Sequence, residues 1–286
     1  MLIVKIEVYM KLCFFSISIK EKFLNFLFNN SYMESLNNSL TDISIIKIII
    51  VGIIALFLGV FLDYIFDISI AMDCIAICLI LFILFELRKC KGCFKIQANN
   101  LFNNFPLKSI IIIVILNIFF SYGMLYLSGY LTDSFPYLET LTYSLTTFNT
   151  NIFFVGSLVS SIIIAPIFEE LFFRGIIFNK LCKYFSISLG IIISSILFGI
   201  CHDFGGIFSA FVFGICMCIL YLKTSNILVP IIAHFLNNLL SEAIVLADVN
   251  NMLFTDTTII LIFSILAILS ACFLFISIIM EWRNFT

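Results

Sequence analysis

Two histidines and a pair of adjacent carboxylates hold most of the chemistry this chain can offer. Phe168-Glu169-Glu170-Leu171-Phe172-Phe173-Arg174 forms one polar cluster, Phe198-Gly199-Ile200-Cys201-His202 a second, and His234-Phe235-Leu236-Asn237-Asn238 a third. The chain has 286 residues and only 2 histidines, and both belong to these clusters. On a helix, Glu170 and Arg174 stand at i and i+4, share a face and can pair, holding that helix in register. Glu169 lies about 100° around from Glu170, away from the arginine and free to face a cavity. His234 and Asn238 are also i and i+4 and present two hydrogen-bonding groups from one face. Glu242 extends that stripe by a turn.

Carboxylate, histidine and amide gathered in an apolar pocket suit hydrolysis. Low dielectric pushes a carboxylate toward the working range of a general base. A histidine beside it can share or orient the attacking water, and a second histidine with an amide can stabilise the oxyanion of a tetrahedral intermediate. Glu169, His202 and His234 could instead hold a zinc ion with an open position for water. The spacing leaves both the metal-free and the zinc mechanism open.

The elements that must position these groups are membrane helices. The chain is 63% hydrophobic and 11% charged, against about 25% charged in a typical soluble domain. A soluble domain of this length cannot hide that much apolar surface, so the expected fold is an all-α, polytopic membrane helix bundle. The 35 Phe and the low charge exclude disorder. A net charge of −2, with one short basic loop, argues against a nucleic-acid partner. The apolar runs are continuous rather than alternating, which argues against an outer-membrane barrel.

A crossing needs about 20 apolar residues, and roughly eight stretches qualify: 43–64, 68–87, 108–130, 152–174, 186–203, 205–222, 226–247 and 257–281. The fifth and sixth are short and meet at Asp203-Phe204-Gly205-Gly206, a predicted tight turn. All 15 Lys and Arg fall on one side of this map, and the opposite turns carry only acids such as Asp133, Glu139 and Asp248. The positive-inside rule then places both termini in the cytoplasm. Residues 1–42, short apolar runs broken by Lys and Asn, read as a cytoplasmic or interfacial arm. Residues 43–286 read as a single transmembrane domain.

Each ionisable group at the centre of a span costs about 2.5–3.5 kcal/mol on insertion scales. Three such clusters in spans four, five and seven therefore imply one shared polar site. Lys47, Asp73 and Asn117, the few polar residues of the first half, read as structural.

EExxxR, FxxxH and HxxxN, in this order on successive hydrophobic helices, resemble the CPBP family of intramembrane proteases. That family includes the type II CAAX prenyl endopeptidases and the Abi proteins linked to bacteriocin immunity. Residues 150–245 carry the resemblance. The first motif matches Glu169, Glu170 and Arg174, the second Phe198 and His202, the third His234 and Asn238. The resemblance implies that Glu169 and His202 activate water, that His234 and Asn238 bind the oxyanion or help hold a metal, and that Glu170, Arg174 and Phe198 support them. It implies an intramembrane endopeptidase surrounded by membrane lipids and cutting a membrane-bound or lipidated peptide, a prenylated CaaX substrate in one branch. In a prokaryotic host the location would be the cell membrane. The other reading is a non-catalytic membrane protein, an immunity or assembly factor, that keeps the cluster for packing. No HExxH or GxSxG offers a different hydrolase centre.

Depth imposes one constraint. Counted from residue 186, His202 lies about 24 Å along a straight helix, whereas His234 lies only about 12 Å from residue 226. Bringing them together requires tilt, a late entry of span five, or an interfacial stretch near 176–190.

Overall fold

The computed structural model describes residues 31–66, 70–88, 90, 92–103, 105–135 and 158–283, and both termini lie outside this set. Among the described residues every regular element is a helix. That follows from runs of Ile, Leu and Phe in a medium without water, where a helix satisfies its own backbone hydrogen bonds.

Helix α1 (Ser31–Asp42) is amphipathic, with Leu36 and Leu40 fully buried and Asn38 and Asp42 exposed. Helices α2 (Ile45–Phe66) and α3 (Ala71–Leu87) pair with each other, followed by the short α4 (Cys93–Asn103) and the long α5 (Leu107–Ser134). Helix α6 is an uninterrupted rod of four segments: π-helical Ser160–Ile164, α-helical Ala165–Glu169, π-helical Glu170–Phe178 and α-helical Asn179–Tyr184. Then come α7 (Ile187–Gly199), α8 (Ile207–Thr224), α9 (Leu228–Ala247), the single turn α10 (Met252–Thr255) and α11 (Thr257–Trp282), which packs along α5.

Helices α2, α5, α8, α9 and α11 are long and apolar enough to cross a membrane. Helix α8 is the enclosed centre, with Val212, Met217 and Ile219 buried on successive faces. Helices α2 and α11 turn Ile54, Phe57, Leu261 and Ile268 outward. Water would not tolerate so continuous an apolar exterior, whereas acyl chains solvate it. The chain is an integral membrane protein. The other three expected spans fall on α3, with 17 residues, on α7, with 13, and on α6, which alternates between π- and α-helical segments. The expected start of that last span, at 152, and residues 1–30 of the expected arm lie outside the described residues.

The α6–α7 hairpin accounts for the depth constraint. Helix α6 runs on to Tyr184, about ten residues or 15 Å past Arg174, and α7 begins only at Ile187. Running back antiparallel, α7 brings Phe198 level with Arg174: the guanidinium Cζ lies 4.3 Å from the Phe198 ring centre. Ser194 Oγ donates to the Phe173 carbonyl at 3.1 Å in the same register. The hairpin register, with its turn about ten residues beyond Arg174, is what brings the second motif level with the first.

Span five ends sooner than the expected residue 203. Helix α7 stops at Gly199, and His202 sits in the turn that follows. Glycine is required at this end, because a Cβ on Gly199 would lie 2.9 Å from the Ile207 carbonyl oxygen. That close approach lets α8 fold back onto α7. The turn expected at Asp203–Gly206 is present, with the Asp203 carbonyl accepting from Gly206 N at 2.7 Å and Ile207 N at 3.0 Å. Gly199→Ala should destabilise the fold by about 1–3 kcal/mol through overpacking against backbone. A lowered melting temperature in detergent would register it.

Candidate active site

Glu170 is the hub of the polar cluster. It is completely buried on α6, and its Oε1 forms an ion pair with Arg174 Nη1 at 3.0 Å and accepts from His234 Nδ1 at 2.8 Å. Arg174, also fully buried, reaches the Gly214 carbonyl of α8 with Nη2 at 3.4 Å. It stacks over Phe198 of α7. One ion pair on α6 thus touches α7, α8 and α9.

Each histidine is anchored through Nδ1: with the Glu170 carboxylate as acceptor, His234 Nδ1 is the donor of their 2.8 Å bond. His234 Nε2 then points toward Glu169 Oε2, 3.8 Å away. Glu169 Oε2 is buried and has no hydrogen-bond partner among the described residues. The ring nitrogen and the carboxylate oxygen face each other across a gap longer than a direct hydrogen bond, the kind of spacing that a water molecule bridges. The second histidine follows the same rule. His202 Nδ1 donates to the Phe198 carbonyl at 2.9 Å. The Phe198 ring separates the two histidines, with ring centres 4.7 Å from His202 and 5.8 Å from His234.

The π-helical start of α6 explains the position of Asn238. Ala165 N–H donates to the Ser160 carbonyl five residues back. Pro166, next in that register, has no N–H to give the Ser161 carbonyl. Asn238 Nδ2 from α9 takes its place, donating to Ser161 O at 2.9 Å. Its Oδ1 accepts from Asn237 Nδ2 at 3.2 Å, and Asn237 Oδ1 accepts from Asn117 Nδ2 of α5 at 2.9 Å. Ser161 Oγ donates to Glu242 Oε1 at 2.8 Å, and Ser160 Oγ donates to Asp73 Oδ1.

The structure therefore gathers Glu169, Glu170, Arg174, Phe198 and His234 directly, and joins His202 through Phe198. Asn238 stands one turn along α9 from His234, tied to the backbone of α6. Sequence reasoning had no view of Ser160 and Ser161, and it took Asn117 and Asp73 as isolated structural residues. The available signal was a lone amide in the Ile/Phe run of α5. Among the described residues no group of three or more His, Cys, Asp or Glu is arranged to hold a metal ion. The Glu169–His202–His234 set, as placed, does not fit a three-ligand zinc site.

Residues 151–240 match the family model for type II CAAX prenyl endopeptidase Rce1-like proteins. All seven motif residues lie in that segment, which is close to the 150–245 that carried the resemblance. A protein of Bacillus subtilis (strain 168) named "Putative membrane peptidase YdiL" is 35% identical over 102 residues. That stretch is 35% of this chain and 42% of the relative, so the match spans less than half the relative's length. No solved structure matches. At family level these likenesses support a membrane endopeptidase of the CAAX type.

Arg174→Met should cost about 3–5 kcal/mol of stability, because it leaves the Glu170 charge buried and uncompensated. Adding Glu170→Gln to that variant should recover a large part of the loss. Denaturation in mixed micelles measures both.

Proposed function

We propose that this protein is an intramembrane endopeptidase that hydrolyses a peptide bond of a membrane-bound or lipidated substrate. A prenylated CaaX peptide is the class that the family description names. The observation that carries the reading is the opposition of His234 Nε2 and Glu169 Oε2 across 3.8 Å, with that carboxylate oxygen buried and without a hydrogen-bond partner among the described residues. A water placed there donates to both.

The chemistry then runs on this chain's own groups. Glu169 takes one proton of the water as its oxygen attacks the scissile carbonyl carbon. Negative charge develops on the carbonyl oxygen. The water's second proton passes to His234 Nε2, and the imidazolium so formed is stabilised by the Glu170 carboxylate on the opposite nitrogen. His234 Nε2–H and the second N–H of Asn238 are then donors toward the oxyanion. Collapse breaks the C–N bond, the proton passes from Glu169 to the leaving amine, and the water oxygen remains in the new carboxylate. Glu170, Arg174 and Phe198 touch no reacting atom and hold the rings in place.

The surrounding medium helps. Apolar side chains of α7 and α8 exclude bulk water and strengthen each of these electrostatic contacts. Only a site of this kind needs a polar access route for water among otherwise apolar helices.

Glu169→Ala should accumulate and fold as wild type, since Glu169 Oε2 has no hydrogen-bond partner among the described residues. Cleavage should fall by about 10²-fold or more, the usual contribution of a general base. Mass spectrometry of membrane-protein termini from matched cells expressing each form at equal abundance reads this without a chosen substrate. Termini that vanish in the variant identify substrates. Identical termini would favour the non-catalytic reading, an immunity or assembly factor.

A further inference from the structure

We infer that Asn117, on α5 and outside the segment matched to the protease family, is a positioning residue for the active site. It acts through a relay of three carboxamides. The inference rests on the hydrolase reading above and extends it to a helix that none of the motifs reaches.

The relay is directional. Asn117 is buried at 4% exposure in the middle of α5. Its Nδ2 donates to Asn237 Oδ1 at 2.9 Å. A carboxamide has one accepting and one donating end, so fixing the oxygen of Asn237 commits its nitrogen to Asn238. Asn237 Nδ2 donates to Asn238 Oδ1 at 3.2 Å. That in turn commits the nitrogen of Asn238 to the Ser161 carbonyl, at 2.9 Å. The chain ends on the carbonyl that Pro166 leaves without a backbone donor, at the start of the segment that carries Glu169 and Glu170.

Two consequences follow for the site. One N–H of Asn238 is spent on Ser161, and the orientation of the amide decides where the second one points. The register of α6 against α9 is fixed at the same contact. That sets how Glu169 and Glu170 meet His234. If Asn117 loses its donor, Asn237 Oδ1 is stranded in an apolar interior and its amide turns to find another partner. Asn238 then loses the contact that holds its oxygen away from the site.

The test is a double-mutant cycle on full-length protein in lipid vesicles, using a peptide that spans a cleavage site found by the termini comparison. Asn117→Leu keeps the side-chain volume and removes the donor. In folded protein it should lower kcat by about ten- to a hundredfold, the range for misplacement of catalytic groups, with KM within about twofold. Combined with Asn238→Ala, it should add no further loss, because it acts through Asn238. If Asn117→Leu fails to accumulate folded protein, Asn237→Leu breaks the same relay and takes its place in the cycle.

An unchanged kcat in a folded relay variant would overturn the proposal. So would losses that multiply in the double variant, or a loss confined to thermal stability. Those outcomes leave the hydrolase reading intact if Glu169→Ala is inactive. Wild-type cleavage by Glu169→Ala would overturn that reading, and the role of the relay with it.

Discussion

A buried carboxylate, Glu170, shared between Arg174 and His234, is the constraint on which the rest of the structure turns. Neither ion can be stripped of water inside a bilayer without a partner, and the penalty per charge runs to several kcal/mol. Arg174 lies in the same rod as Glu170, so one half of the compensation is built into α6. The other contacts recruit the surroundings. The guanidinium stacks on Phe198 and reaches the Gly214 carbonyl, while the imidazole comes from α9. Four helices are thereby held to one point. The short α7 has its entry level set by that demand, because only a hairpin that turns beyond Tyr184 brings Phe198 back to Arg174.

The irregular backbone of α6 belongs to the same economy of hydrogen bonds. π-helical turns and a proline would leave carbonyls unpaired, and lipid supplies no donor for them. Such backbone persists where a polar side chain satisfies it, and Asn238 does so for Ser161. The polar groups that repair the helix are thus next to those proposed to do chemistry. Departures from regular geometry concentrate at the site, as expected where local rules yield to function.

Much of this could be read in the residue pattern, and the unread part has physical reasons. The Glu170–Arg174 pairing followed from i, i+4 spacing, and it survives in a π-helical stretch because both side chains are long enough to absorb the change in pitch. The turn at Asp203–Gly206 followed from paired glycines. The membrane class followed from composition, and the family match falls on the motifs that suggested it. The pitch of α6 was not legible, since an i→i+5 bond leaves no trace in an unbroken apolar run. The early end of α7 at Gly199 comes with a close approach to Ile207 across the turn, which spacing does not encode. Asn117 looked like a stray polar residue because its partner lies two-fifths of the chain away. Only the packing of α5 on α9 makes it part of a network.

The central claim is that Glu170 locks the His234 ring so that Nε2 faces Glu169. Nitrogen-15 NMR of histidine-labelled protein in lipid tests this directly, since the chain has only two histidines and a His202→Gln variant leaves one set of signals. The account predicts a protonated Nδ1 at His234 whose resonance moves strongly in Glu170→Gln, with Nε2 responding to Glu169→Ala. An unprotonated Nδ1 at His234, or signals indifferent to both substitutions, would contradict it.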